Sequence, residues 1–230
     1  MSHTEEHFEG SEMVRDIVIG MSDGLTVPFA LAAGLSSAVS DQGNGIIITA
    51  GIAEIIAGSI AMGLGGYLAG KTEIEHYDAE LKREHFEIIN YPEKERQEIH
   101  EIFEHYGLSE EARNQVIIEL EKDHDKYADF MMKFELGLEK PELNRARKSA
   151  LTIGISYIIG GMVPLTAYIF TNHPKDGFFW SSIITVLCLF TFGYTKAVFM
   201  KQNPWKAAIR VTLIGMLAAG TAYFVAGFFA

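Results

Sequence analysis

Two carboxylates stand where a chain otherwise turns apolar. Glu54 is the one acid in Gly45–Leu68, and Asp23 interrupts the apolar run before it. A carboxylate in hydrocarbon costs several kcal/mol unless it faces a cavity or a partner, so acids at that depth mark a pathway for something positive. On a helical wheel Ala50, Gly51, Ala57, Gly58, Ala61 and Gly65 share the Glu54 side. A face with so little bulk lets another helix approach closely or leaves room for an ion.

A second group of acids lies further on. Glu73, Glu80, Glu84 and Glu87 fall on one side of a helix, and the like-charged pair Glu80 and Glu84, four apart, mildly destabilises it. Four residues after Glu84 and Glu87 stand Ile88 and Tyr91, where a solvated, salt-bridged helix would carry Lys. Glu95 and Glu98 are likewise followed by Ile99 and Ile102, and Met131 and Glu135 sit one turn apart. Taken singly, each Glu reads as a surface acid and the Met as core filler. Taken together, unpaired glutamates on two helices with a thioether on a third make a divalent-cation site. The Met sulfur biases the choice toward softer first-row ions and away from Mg²⁺ or Ca²⁺.

Histidine supplies a rival. Glu73-x-x-His76 and Glu121-x-x-His124 match the spacing of di-iron carboxylate bundles, which would make the chain a membrane-tethered enzyme. That arrangement needs four long helices, and breaks near residues 91, 107 and 140 scarcely leave them.

The elements that must position these residues fall into two populations. The chain has 230 residues, 48% of them hydrophobic, with a net charge of −11. Ile17–Ala38, Gly45–Gly70, Ala150–Phe170, Phe178–Phe199 and Ala207–Phe229 are apolar stretches of roughly 20 residues or more, long enough for a bilayer core of about 30 Å. Five such stretches are too many for the core of a soluble protein of this length. The expected fold class is all-α, a polytopic membrane protein with five transmembrane helices and a cytosolic helical metal-binding domain between helices two and three. The domains are residues 1–70, 71–148 and 149–230.

The first span does not read as a signal peptide, since its flank is acidic (Glu5, Glu6, Glu9, Glu12) and Asp23 and Pro28 interrupt it. The sole cysteine, Cys188, excludes an intrachain disulfide. Arg15 precedes span one, and Lys and Arg gather in 71–148 and around the connection between spans four and five, while the opposite side has only Lys175. Positive residues stay cytosolic, which puts the N-terminus and 71–148 in the cytosol and the C-terminus across the membrane. The 71–148 block holds 21 acidic against 13 basic residues, so it carries most of the negative charge and offers nothing to nucleic acid. Its pattern is helical throughout. One helix continues from span two to Ile89, Pro92 starts a second that Gly107 ends, Ser109 caps a third, and a last one ends near Gly137.

Three segments then carry a resemblance. RDIVIGMSDGLTVPFALAAGL (15–35), AGSIAMGLGGYLA (57–69) and DFMMKFELGLEKP (129–141) are similar, in order and over almost the whole chain, to the vacuolar iron transporter family. The resemblance implies a homodimer of five-span subunits with no enzymatic activity and no prosthetic group. Its cargo is Fe²⁺, with Mn²⁺ or other first-row ions possible, exported from the cytosol in exchange for protons. Carried over by position, Glu84, Glu87, Glu95, Glu98, Met131 and Glu135 form the cytosolic metal site, and Asp23, Glu54 and Met62 line the membrane path. Glu93 and Glu101 lie close enough for a register slip to swap them for Glu95 or Glu98. The membrane would be the vacuolar one in a eukaryote and the cell membrane in a prokaryote.

A mechanism follows as an expectation. Pro28 cannot donate to the carbonyl of Gly24, so span one should kink there and free that carbonyl beside Asp23. A carboxylate, a carbonyl and the Met62 sulfur could take a partly dehydrated Fe²⁺. Met62 lies about 80° around the wheel from Glu54 and two turns along, a successive station on one path. An empty acid at membrane depth tends to hold a proton that an arriving cation displaces, which gives exchange a physical basis. The alternative is a membrane-anchored metal sensor or store, which needs no carboxylates at that depth.

Overall fold

The computed structural model describes residues 10–39 and 43–229, and there the chain is helical with no strand. In order the helices are α1 (Gly10–Ala38), α2 (Gly45–Asn90), α3 (Pro92–His105), α4 (Glu110–Leu120), α5 (His124–Phe134), α6 (Arg145–Ile169), α7 (Pro174–Phe199) and α8 (Pro204–Phe229). Helices α1, α2, α6, α7 and α8 are long and apolar enough to cross a membrane. The acids Glu5, Glu6 and Glu9 lie outside the described residues. Two compact units emerge, one from residues up to Tyr67 together with Ala146 onward, the other from Leu68 to Arg145.

In the first unit α1 packs closely on α8, and α7 packs on both. Phe29, Ala33 and Ala219 form one buried cluster, and Ala32, Ile47, Ile55, Leu165 and Tyr168 another. The outward surface is apolar as well. Ile52, Ile56, Ile60 and Leu64 make an exposed row along α2, and Leu213, Leu217, Phe224 and Phe228 do so on α8. A contiguous apolar exterior is unsuited to water and suited to hydrocarbon. Helix α1 runs through Pro28 without ending, because the surrounding helices fix the chain on both sides of it.

The small-residue side of α2 divides. Gly51 and Gly58 pack against Leu165 and Tyr157 of α6, Ala50 is half-buried, and Ala57, Ala61 and Gly65 stay exposed. Gly66, which with Gly70 makes a candidate helix–helix seam by spacing, is used within the chain. A Cβ there would come within 2.6 Å of Ile153 and 2.9 Å of Ser149. At the start of α2, Asn44 Nδ2 donates to the Tyr168 and Thr171 carbonyls at 2.9 and 2.6 Å, closing the end of α6 onto α2.

The second unit follows local rules. Pro92 supplies the first residue of α3, where its missing N–H removes no intrahelical bond. Gly107, with φ at 76°, adopts the left-handed turn after α3 that other residues resist. The Ser109 hydroxyl accepts from the Ala112 N–H, and Asp123 accepts from the Lys126 N–H, capping α4 and α5. Ile88, Ile99, Ile117, Tyr127, Ala128 and Met131 bury themselves together, with Leu81, Phe103 and Phe130 around them. This small apolar core ties α2, α3, α4 and α5 together, and glutamates project from the ends of α2, α3 and α5.

Candidate metal site and intramembrane acids

In the second unit three acids from three helices converge. One carboxylate oxygen from each of Glu84 (α2), Glu95 (α3) and Glu135 (at the end of α5) lies within 4.8 Å of the other two. Glu95 is 0% and Glu84 1% exposed. Both Glu95 oxygens and one Glu84 oxygen are buried with no hydrogen-bond partner among the described residues. Buried acids without partners are costly, and natural folds keep them where they have a task. Glu135 adds a further cost, since an acid at the C-terminal end of a helix faces the negative pole of its dipole.

The electrostatics follow from this crowding. Burial, then Glu135 and Glu87, push the Glu84 carboxyl up to about 7, with Arg83 opposing. Burial, then Glu98 and Glu84, push Glu95 up to about 8. Glu135 is raised as well, by burial first and by Glu98 next. Three oxygen donors that repel one another when charged and face one point are what a divalent cation neutralises.

Glu87 and Glu98 differ from that trio, and here the expectation of wholly unpaired glutamates is corrected. Lys94 Nζ lies 2.9 Å from Glu98 and 3.4 Å from Glu87, bridging α3 to α2. Arg83 reaches Glu80 at 2.8 Å, Glu87 at 3.7 Å and Glu84 at 3.8 Å. The positions four residues after each acid do not reveal these partners, because Arg83 and Lys94 stand four residues before Glu87 and Glu98, and Lys94 also reaches Glu87 from the neighbouring helix. Met131 is buried in the apolar core, one turn before Glu135. Glu93 points outward, its side chain 84% exposed and paired to Arg96 at 2.7 Å, and Glu101 accepts from Gln97 at the surface. Neither shares the cluster.

The two Glu-x-x-His pairs do not face one another. Glu121 is held by Arg96 at 2.5 Å, Glu73 lies 3.8 Å from Arg145, and His76 and His124 are exposed. With the acids claimed by arginines, the di-iron reading loses its ligands.

In the first unit the helices that carry the two intramembrane acids meet on a residue that spacing did not single out. Tyr157 of α6, 2% exposed, donates its hydroxyl to Glu54 Oε1, while Glu54 Oε2 is buried without a partner among the described residues. A Cβ at Gly58 would strike the Tyr157 ring at 2.5 Å, and one at Gly24 would strike the Tyr157 carbonyl at 2.4 Å. Gly58 lies one turn from Glu54 and Gly24 is next to Asp23, so α1 and α2 both close onto Tyr157 beside their acids. Among the described residues neither acid has a basic partner. Met62, two turns further along α2, is half-buried. The signal that could have found Tyr157 is a hydroxyl in an apolar helix, which needs a partner when buried.

Comparison with known proteins agrees over nearly the full length. The family model described as the VIT family matches residues 14–227. Vacuolar iron transporter 1 of Tulipa gesneriana is 52% identical over 224 residues, which cover 97% of this chain and 90% of that relative. Vacuolar iron transporter 1 of Arabidopsis thaliana is 50% identical over 97% of this chain and 89% of its own length. Protein CCC1 of Saccharomyces cerevisiae is 39% identical over 92% of this chain and 67% of its own. On the extent of that match, the chain belongs to the VIT family.

Proposed function

We propose that this protein is an iron transporter of a vacuolar or equivalent membrane, moving Fe²⁺ out of the cytosol in exchange for protons. The relatives' names support the cargo and the compartment. The convergence of Glu84, Glu95 and Glu135 carries the reading of Leu68–Arg145 as the capture site. Glu87, Glu98 and Met131 complete a ligand set around that trio once metal draws the charged pairs apart. The distribution of Lys and Arg supports a cytosolic side for this unit and the N-terminus.

Asp23, Glu54 and Met62 are the stations of the membrane path. A cation that sheds water there meets carboxylates that no lysine or arginine neutralises, and it displaces the proton each empty acid holds. The exposed small residues of α2 suit a second copy of the chain, in keeping with a homodimer. Carboxylate and thioether donors also accept Mn²⁺, so Mn²⁺ is a second cargo. Acids at membrane depth disfavour the sensor or store, which has no use for them.

Reconstitution of the full chain in liposomes with an imposed pH gradient tests the proposal under anaerobic conditions with Fe²⁺, Mn²⁺ and Zn²⁺. Gradient-dependent Fe²⁺ uptake supports it. Metal binding with no uptake above protein-free liposomes overturns it in favour of the sensor.

A further inference from the structure

A groove of about 400 Å³ opens between the start of α1 and the end of α7. It is lined by Val14, Arg15, Val18 and Ile19 on one side and by Lys196, Phe199 and Met200 on the other. Among the described residues the lining holds two cations and no acid, and the other five side chains are hydrocarbon or thioether. Asp16, next to Arg15, is buried, and its carboxylate lies 3.9 Å from Arg15 Nε, at the outer limit of an ion pair. Lys196 has no ion pair among the described residues. The groove therefore offers positive charge on an apolar bed, at the end of two helices long enough to cross a membrane.

We propose that this groove binds an anionic phospholipid, its phosphate held between Arg15 and Lys196 and an acyl chain lying along Val18, Ile19 and Phe199. The inference rests on the chain being embedded in a membrane and does not depend on what it transports. Complementarity of both kinds points to lipid. A phosphate monoanion matches two cations, and an acyl chain matches the hydrocarbon walls, whereas a soluble anion would leave those walls bare. A second copy of the chain fits poorly, because a two-fold contact would bring Arg15 and Lys196 against their own duplicates. Both residues also lie on the side where lysine and arginine collect, the cytosolic side by the positive-inside rule, where anionic lipids are concentrated.

Native mass spectrometry of the full-length protein, taken from bilayers of mixed phosphatidylcholine and phosphatidylglycerol, reads bound lipid without any transport assay. The protein should retain phosphatidylglycerol in preference. Arg15→Gln and Lys196→Gln should each weaken that preference by about fivefold, and the pair should abolish it. Arg15→Lys with Lys196→Arg should keep it, and so should Lys175→Gln at the other end of α7. Unchanged helicity and elution volume of each variant separate lost lipid from lost fold. Equal retention of both lipids by the unaltered protein, or a preference that survives in the Gln pair, overturns the proposal. So does a cross-link between copies through cysteines placed at positions 15 and 196.

Discussion

Tyr157 donates its phenolic hydrogen to Glu54, so a residue of α6 sets the orientation of the acid that α2 carries into the membrane. One oxygen of Glu54 is thereby committed, and the other is left buried and unpartnered. Tyr157→Phe removes the donor while keeping the ring that fills the space over Gly58. Gradient-driven Fe²⁺ flux in liposomes should fall by roughly 10- to 100-fold, the usual loss when a group orienting a metal ligand is removed. Metal binding by the full chain should be unchanged. Flux near that of the unaltered protein would reduce Tyr157 to packing.

Asp23→Asn and Glu54→Gln keep the shape of each acid and remove its charge. Each should abolish pH-driven uptake and leave the Fe²⁺ stoichiometry of the glutamate cluster intact, measured by calorimetry on the detergent-solubilised protein. Full uptake by Asp23→Asn would remove Asp23 from the path.

The cluster should compete with protons. Glu84 and Glu95 titrate near 7 and 8, and a carboxylate must be ionised to bind metal. Fe²⁺ affinity should therefore rise steadily from pH 6 to 8, and binding should release protons. Calorimetry in two buffers of different ionisation enthalpy would count them. An affinity flat across that range would contradict the burial of these acids.

The same shifts act on stability. Glu84 and Glu95 keep their protons to higher pH in the folded chain than in the unfolded one, where such a carboxyl titrates near 4.5. Between those limits the folded state binds more protons, so metal-free stability falls as pH rises from about 4.5 to 8. Glu95→Gln should raise the Tm of the metal-free protein by a few degrees at pH 8, as expected for about 1–2 kcal/mol in a chain of this size. At pH 5 it should leave Tm unchanged, and it should blunt the stabilisation by Fe²⁺. A Tm shift equal at both values would mean that Glu95 carries no charge to relieve.

Lys94 pairs with both Glu87 and Glu98, so metal must displace it to draw them in. Lys94→Gln should strengthen Fe²⁺ binding by no more than about fivefold, because Lys94 is exposed and such pairs contribute about 0–1 kcal/mol. Weaker binding would show instead that Lys94 positions the two acids.

Much of this molecule could be read from spacing and hydropathy. Five apolar runs of bilayer length give five helices of that length, since composition over twenty residues is a local property. Pro92, Gly107 and Ser109 punctuate the second unit as their backbone chemistry requires. Asp23 and Glu54 stood out because an acid among apolar residues is visible one helix at a time. What only the tertiary structure decided is which glutamates meet. Glu84, Glu95 and Glu135 gather through three helix ends set by a shared core, while Lys94, one turn before Glu98 on its own helix, also reaches across to Glu87 of the neighbouring one. Tyr157 became visible only when α6 packed against α1 and α2. Hydropathy and capping act within a few residues along the chain, whereas a ligand cluster depends on contacts between helices that no single helix encodes.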